Sequence, residues 1–218
     1  MKQANGIEVT EFLIKLLNKP PSENNNLSLV FTGGRGANHL YEQWRKKNIF
    51  SNVRQSVDIF LTDERCVPRN HSERNSNLVS RVLFSGKIPK NIFLHEMYKD
   101  IEDTKTEISC VVDYEKSLPK SVDMMLVSMG EDGHIASLFP NSSAIFETKS
   151  KVMQVKGSKP PFDRITITPP VIEAAKQVFV LALGSEKKRM YEKALLNPED
   201  VYSLPVRLVL DRTWVFLI

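Results

Sequence analysis

The stretch Val122-Asp-Met-Met-Leu-Val-Ser-Met-Gly-Glu-Asp-Gly-His-Ile-Ala-Ser-Leu-Phe-Pro140 carries the clearest fold signal in the chain. Its apolar run, Met124 to Val127, has the length and type expected of a buried strand. The breaker residues Gly130 and Asp132-Gly133 end that run, and His134 follows at once. A titratable imidazole just past the carboxyl end of a buried strand lies where open α/β sheets tend to bind ligands. Asp-Gly is also a common turn, which would leave His134 an ordinary hydrogen-bonded loop residue.

Predicted strands and helices alternate on both sides of this stretch. The predicted strands cover residues 27–32, 57–62, 92–94, 124–127, 152–155, 164–168, 178–183, 206–210 and 214–218. The predicted helices cover residues 7–17, 37–47, 72–84, 104–116, 168–176 and 185–196, with Ser72, Thr168 and Ser185 as N-caps. This alternation is typical of a three-layer α/β fold, a largely parallel sheet flanked by helices. Without an internal repeat or a dividing linker, residues 1–218 are expected to form a single domain.

Composition excludes several classes of protein. The 218 residues are 41% hydrophobic and 26% charged, which is ordinary for a globular protein with a core. No apolar run approaches the roughly 18–20 residues of a membrane span, and no signal-peptide pattern opens the chain. We therefore expect a cytoplasmic protein. The net charge of +4 is scattered along the chain, whereas a nucleic-acid binder concentrates basic residues on one surface.

The two cysteines, Cys66 and Cys110, have neither metal-ligand spacing nor the pattern of a disulfide framework. Cys66 follows Arg65, a neighbour that can activate a thiol. Because no histidine partner is signalled, a buried small residue is the favoured interpretation.

Four predicted strands run directly into polar or glycine-rich segments, namely Gly33–Gly36, Asp63–Arg65, Gly130–His134 and Gly184–Lys187. The carboxyl ends of parallel strands share one edge of a sheet, so these segments are expected to converge. A glycine turn between a strand and a helix can bind an anion through backbone amides, but it can also be only a tight connection.

Each segment has a plainer interpretation. The glycine loop lacks the third glycine of the dinucleotide fingerprint and the lysine-serine/threonine end of a P-loop. Residues 63–65 form either a surface ion pair or part of an active site. Lys187, in a first helical turn, opposes the helix dipole unless an anion is near, or it is an exposed lysine paired with Glu186.

Other chemistries lack their motifs. No Gly-x-Ser-x-Gly elbow is present, the four histidines are too dispersed for a zinc site, and no HExxH occurs. The chemistry that these exclusions leave is proton transfer by His134 on a small phosphorylated substrate.

Taken in order, the motifs of the chain resemble those of the 6-phosphogluconolactonase family, within the glucosamine/galactosamine-6-phosphate isomerase superfamily. They are Thr32-Gly-Gly-Arg35, Asp63-Glu-Arg-Cys-Val-Pro68 with Ser76-Asn77 downstream, the string from Met129 to Pro140, Arg164-Ile-Thr-Ile-Thr168 and Gly184-Ser-Glu-Lys187. The related glucosamine-6-phosphate deaminases share Asp-Gly-His but typically continue with Ala-Phe-Asn-Glu-Pro. Ala136-Ser-Leu-Phe-Pro140 points to the lactonases instead.

The resemblance implies hydrolysis of 6-phospho-D-glucono-1,5-lactone to 6-phosphogluconate in the oxidative pentose phosphate pathway. It also implies a Rossmann-related, sugar-isomerase-like fold without cofactor or metal. The expected partner is the small sugar phosphate lactone, with no nucleic acid or membrane, and the protein is expected to be a monomer or weak homodimer.

By the same resemblance, His134 is the general base and Asp132 or another carboxylate orients its ring. The residues expected to bind the 6-phosphate are Gly33, Gly34, Arg35, Arg65 and Lys187. Arg164 is expected to contact phosphate or carboxylate, and Asp63 to bind sugar hydroxyls.

The chain departs from the family pattern at three places. Gly36-Ala37 stands where Thr-Pro is expected, which removes a hydroxyl from the first loop. Ser128 stands where glycine is usual, and the N-terminal helix is shorter. Three rival functions remain: a glucosamine-6-phosphate deaminase or isomerase, a non-catalytic sugar-phosphate sensor and a nucleotide-binding module. The 26 residues before the first strand are too few for the helix-turn-helix domain that such sensors usually carry.

Overall fold

The computed structural model describes residues 2–20, 26–100 and 107–217. Seven parallel strands form the main sheet in the order β1-β10-β9-β6-β2-β3-β5, and β4-β8-β7 form a smaller antiparallel sheet. The strands are β1 (Gln3–Ala4), β2 (Leu27–Phe31), β3 (Val57–Leu61), β4 (Asp63–Arg65), β5 (Ile92–Leu94), β6 (Met124–Ser128), β7 (Val152–Lys156), β8 (Asp163–Ile167), β9 (Val178–Leu183) and β10 (Thr213–Leu217).

Helices cover both faces of the main sheet. They are α1 (Gly6–Leu17), α2 (Arg35–Lys46), α3 (Asn75–Leu78, continued by a π turn over Val79–Leu83), α4 (Glu107–Ser117), α5 (Pro169–Ala174) and α6 (Ser185–Leu195), with short 3₁₀ helices at Ser143–Phe146 and Pro205–Val209. None of the helices in the described residues is long and apolar enough to cross a membrane.

Strand β6 shows how the sequence produces three layers. Met124 and Leu126 belong to the apolar cluster that contains residues of α1 and α2, whereas Met125 and Val127 belong to the cluster that contains residues of α4, α5 and α6. Side chains alternate between the faces of a strand. A strand with four successive apolar residues, Met124 to Val127, therefore fits between two layers of helices, as predicted.

Two predicted elements are wrong at their stated places. Residues 206–210 form no strand; a 3₁₀ helix covers Pro205–Val209. The Val206 amide donates to the Gly133 carbonyl at 2.8 Å, so this segment bonds to the histidine loop instead of the sheet. Residues 63–65, predicted as a polar strand end, form β4 and pair with β8.

Two of the three predicted caps are also wrong, and the third, Thr168, lies at its predicted position. Helix α3 begins at Asn75 and not after Ser72, because the buried Glu64 carboxylate accepts the amides of Asn75 and Ser76 at 2.7 and 2.8 Å. The Glu64 side chain, which lies on β4, thus replaces a local N-cap side chain. Thr168 occupies the N-cap of α5, but its hydroxyl donates to the Ser150 carbonyl. Gly184, not Ser185, is the N-cap of α6. The predicted start of α4 at 104–106 lies outside the described residues.

Candidate active site

The four segments that follow predicted strands meet at one edge of the main sheet. They follow β9, β6, β2 and β3, which are consecutive neighbours in the sheet and run parallel. Neighbouring strands lie about 4.8 Å apart, so the segments line a continuous edge. The predicted convergence of these segments is confirmed.

Glycines shape the loop that carries His134. A side chain at Gly130 would place its Cβ 2.2 Å from the imidazole, and one at Gly133 would place it 2.2 Å from Leu204. Gly133 also has a φ of +80°, which favours glycine. The Gly130 amide donates to the His134 carbonyl at 2.8 Å. The loop therefore folds back on itself, and its glycines are needed for the imidazole to lie against the backbone.

Asp132 holds the imidazole. His134 Nδ1 lies 2.5 Å from Asp132 Oδ1, which also accepts the His134 amide at 3.2 Å. An ionised carboxylate only accepts hydrogen bonds, so Nδ1 carries the proton and Nε2 of the neutral ring is left as an acceptor. Burial would raise the pKa of Asp132, but the hydrogen bonds that it accepts from His134 hold that pKa below its ordinary value. The imidazole is 30% exposed, and Nε2 forms no hydrogen bond with the described residues.

Two residues that sequence reasoning missed support this loop. The Phe139 ring lies 4.8 Å from the imidazole, centroid to centroid, and 5.6 Å from Cζ of Arg164. Ser137 is fully buried, and its hydroxyl donates to Asp63 Oδ2 at 2.7 Å. Both residues lie in the string that distinguishes lactonases from deaminases, but neither carries acid–base chemistry, so only the resemblance signalled them.

Asp63 is buried and already bonded at both oxygens. Its Oδ1 accepts from the Thr62 hydroxyl at 3.1 Å and from Asn75 at 3.4 Å, while Oδ2 accepts from Ser137. The Asn75 side chain also lies against Gly33, where an added Cβ would come within 2.1 Å of its Oδ1. Asp63 thus anchors the loops after β2, β3 and β6, and its binding of sugar hydroxyls stays a prediction.

Arg65 and Arg164, called here the arginine pair, lie opposite each other on β4 and β8. Arg65 Nη1 donates to the carbonyl and carboxylate of Glu73 at 2.6 and 3.0 Å, but its buried Nε has no partner within the described residues. Arg164 is 7% exposed and donates to two carbonyls, those of Pro161 at 3.1 Å and Lys159 at 3.4 Å. Burial, and then the charge of Arg65, lower the pKa of Arg164. A buried positive charge beside another one favours an anion as a ligand.

The first turns of α2 and α6, with Arg35 and Lys187, are called here the helix-terminus side. Gly34 and Gly184, the two N-cap residues, adopt nearly the same conformation, with φ of +93° and +86° and ψ of 168° and 166°. Among the described residues no side chain caps either helix, so the first-turn amides lie at the sheet edge without a side-chain acceptor there.

The cations on the helix-terminus side are held loosely. Burial, and then the nearby Arg35, lower the pKa of Lys187, while Glu131 opposes that shift. The side chain of Arg35 is 85% exposed and lies 3.5 Å from Glu131, a contact that stabilises little. Two cations and two uncapped helix N-termini at one edge are suited to bind a phosphate.

Cys66 stands apart from this chemistry. It is partly buried, and burial followed by the nearby carboxylate of Glu107 raises its pKa to about 12. An activated thiol has a lowered pKa, so the structure favours the interpretation of a packing residue. Among the described residues, no group of three or more histidine, cysteine or acidic side chains is placed to hold a metal ion.

Known proteins are similar to this chain in sequence and in architecture. A family model described as glucosamine-6-phosphate isomerases/6-phosphogluconolactonase matches residues 2–216. A 6-phosphogluconolactonase of Borreliella burgdorferi is 32% identical over 187 residues, which cover 84% of this chain and 78% of the relative. Another, of Helicobacter pylori, is 27% identical over 203 residues, which cover 93% and 86%. The crystal structure of a 6-phosphogluconolactonase from Shewanella baltica matches with a TM-score of 0.79 at 22% identity, covering 99% and 96% of the two chains, and confirms the predicted fold class.

Proposed function

Because the chain belongs to the glucosamine-6-phosphate isomerase/6-phosphogluconolactonase family, we infer that it hydrolyses 6-phospho-D-glucono-1,5-lactone to 6-phosphogluconate in the oxidative pentose phosphate pathway. The observation that carries this function is His134, whose Nδ1 is bound by Asp132 and whose Nε2 is left as an acceptor. A lactone carbonyl is already electrophilic, so an activated water and stabilisation of the oxyanion suffice.

His134 acts as the general base in this proposal. Nε2 takes a proton from water as the water oxygen attacks C1 of the lactone, and the ionised Asp132 stabilises the imidazolium that forms. The bond between C1 and the ring oxygen then breaks, and the imidazolium returns the proton to that oxygen. The products are a carboxylic acid and a hydroxyl group, with no other reactant than water.

The arginine pair is placed to stabilise the charge on the carbonyl oxygen. Arg164 lies near the same Phe139 ring as His134, so the guanidinium and the base share one neighbour. Both arginines stand on strands and are largely fixed before substrate arrives. Fixed cations in a partly buried site favour a developing negative charge more than water does.

The helix-terminus side is then the site of the 6-phosphate. Strands β2 and β9 flank β6, so the two helices that follow them begin on either side of the segment that carries His134. This arrangement supports the proposed roles of Gly33, Gly34, Arg35 and Lys187 in holding the phosphate.

Several broader expectations stay predictions. They are the single domain over residues 1–218, the cytoplasmic location, the monomeric or weakly dimeric state, and a reaction without cofactor, metal, nucleic acid or membrane.

The test is a lactonase assay on the purified chain, corrected for spontaneous hydrolysis and run beside an assay for ammonia release from glucosamine 6-phosphate. We expect lactone hydrolysis well above the spontaneous rate and no ammonia. Ammonia release without lactone hydrolysis would overturn the proposal in favour of the deaminase.

A further inference from the structure

Ser128, the last residue of β6, is the one polar residue on a face of that strand that is otherwise apolar. Met124 and Leu126 face the layer of α1 and α2, and alternation along the strand puts Ser128 on the same face. Its neighbour in the ladder, Leu181 of β9, belongs to that layer as well. A hydroxyl therefore takes the last position of the row, at the edge of the sheet where the substrate is proposed to bind.

The hydroxyl of Ser128 lies beside the N-terminus of α2. A Cβ built on Gly34, the N-cap residue, would lie 3.4 Å from Ser128 Oγ. Ser128 is only partly buried, and its hydroxyl forms no hydrogen bond to residues 2–20, 26–100 or 107–217. An unpaired hydroxyl beside uncapped helix amides is free to donate to a ligand.

The first turn of α2 offers little polar side chain of its own. Gly36 and Ala37 are buried and carry no polar side-chain atom, and a Cβ at Gly36 would face Leu181 and Leu183 at 3.6–3.7 Å. Arg35 extends into solvent. The strand next to the helix thus presents a hydroxyl that the first turn lacks.

We propose that Ser128 is a specificity-determining residue whose hydroxyl donates a hydrogen bond to the substrate phosphate at the N-terminus of α2. This rests on the proposed function and on the phosphate lying at the helix-terminus side. The hydroxyl takes no part in the proton transfers at His134, so its contribution is confined to recognition of the phosphorylated substrate. The alternative is that Ser128 is present only because a small side chain fits beside Gly34.

The substitution Ser128→Ala separates the two explanations, because it removes the hydroxyl and keeps a small side chain. Hydrogen bonds to charged groups are stronger than neutral ones, so we expect KM for 6-phospho-D-glucono-1,5-lactone to rise about 10-fold with kcat nearly unchanged. The inhibition constant of inorganic phosphate should rise by a similar factor. Turnover of glucono-1,5-lactone, which has no phosphate, should stay the same.

Ser56→Ala is the matched control, since Ser56 directly precedes β3 at the opposite edge of the sheet. It should behave as the wild type in every assay, and thermal unfolding of both variants should match the wild type. An unchanged KM in Ser128→Ala, or an equal rise for both lactones, would overturn the proposal.

If the wild type does not hydrolyse the lactone, the proposed function fails. Calorimetric binding of inorganic phosphate to wild type and Ser128→Ala then still decides the role of Ser128: weaker binding by the variant supports it, and equal or absent binding refutes it.

Discussion

The arginine pair, with Arg164 buried and Arg65 partly buried, is fixed on two strands, whereas the cations of the helix-terminus side stand on the first turns of two helices. Arg164 is 7% exposed, and the side chain of Arg35 is 85% exposed. Arg65 and Arg164 face each other through the register of a β-ladder, with backbone carbonyls and Glu73 holding them. Arg35 is restrained by a single weak contact with Glu131.

The difference matches two tasks in the proposed reaction. A charge that develops only in the transition state is best stabilised by groups that need no rearrangement. A phosphate that is charged throughout can be bound by amides and by cations that close around it, since it contributes equally to ground state and transition state. We therefore expect substitutions in the arginine pair to change kcat and those on the helix-terminus side to change KM.

The largest effect is expected for His134→Ala, which removes the base that lies near the same Phe139 ring as Arg164. Loss of a general base should lower kcat by roughly 100-fold or more with little change in KM. His39→Ala is the matched control, because His39 is an exposed imidazole on α2 bonded only to Gln43 among the described residues. Steady-state lactonase kinetics decide the matter, and near-normal turnover would exclude His134 as the base.

The substitution Arg164→Met tests the role of the arginine pair directly. It keeps much of the buried volume but removes the charge, so we expect kcat to fall on the order of 10- to 100-fold. Stability should not fall, since the removed charge is desolvated and repelled by Arg65. Thermal unfolding measured beside the kinetics checks both parts. A rise in KM with kcat intact would place the phosphate at the arginine pair and reverse the assignment of the two sides.

Local sequence patterns were sufficient to predict the helix-terminus side. The helix-terminus side follows from short-range signals, an apolar run that ends in glycine before an amphipathic helix, and both Gly34 and Gly184 lie where those signals put them. The position of His134 follows from the same type of signal. Such patterns suffice because the carboxyl ends of parallel strands must share an edge.

The arginine pair required the tertiary structure. Arg65 and Arg164 are far apart in sequence, and nothing local predicts that two cations face each other across a ladder. The hydrogen bond between Ser137 and Asp63 spans 74 positions, and Glu64 caps α3 from another strand. The resemblance named both arginines and placed Arg65 with the phosphate-binding residues, but it did not indicate that the two arginines face each other across a ladder.

A smaller effect is expected for Lys187→Ala on the helix-terminus side. Loss of one half-buried cation should raise KM about 10-fold and leave kcat within a factor of about two. Lys188→Ala is the control, since Lys188 is the next residue of α6 and is exposed. Steady-state kinetics on both variants provide the measurement. If Lys187→Ala lowers kcat as strongly as Arg164→Met, the helix-terminus side is not confined to substrate binding, and the distinction between the two sides is wrong.

The smallest effect is a pH dependence that belongs to the helix-terminus side alone. The pKa of Lys187 is lowered by burial and by Arg35, so its charge is lost as the pH rises through a value below the ordinary 10.5 of a lysine. Phosphate binding needs the charged form, so the affinity for inorganic phosphate should fall by a few-fold in that alkaline range. Calorimetry with inorganic phosphate avoids the spontaneous hydrolysis of the lactone. Lys187→Arg keeps its charge at these pH values and should abolish the decline, whereas the same decline in that variant would assign it to another group.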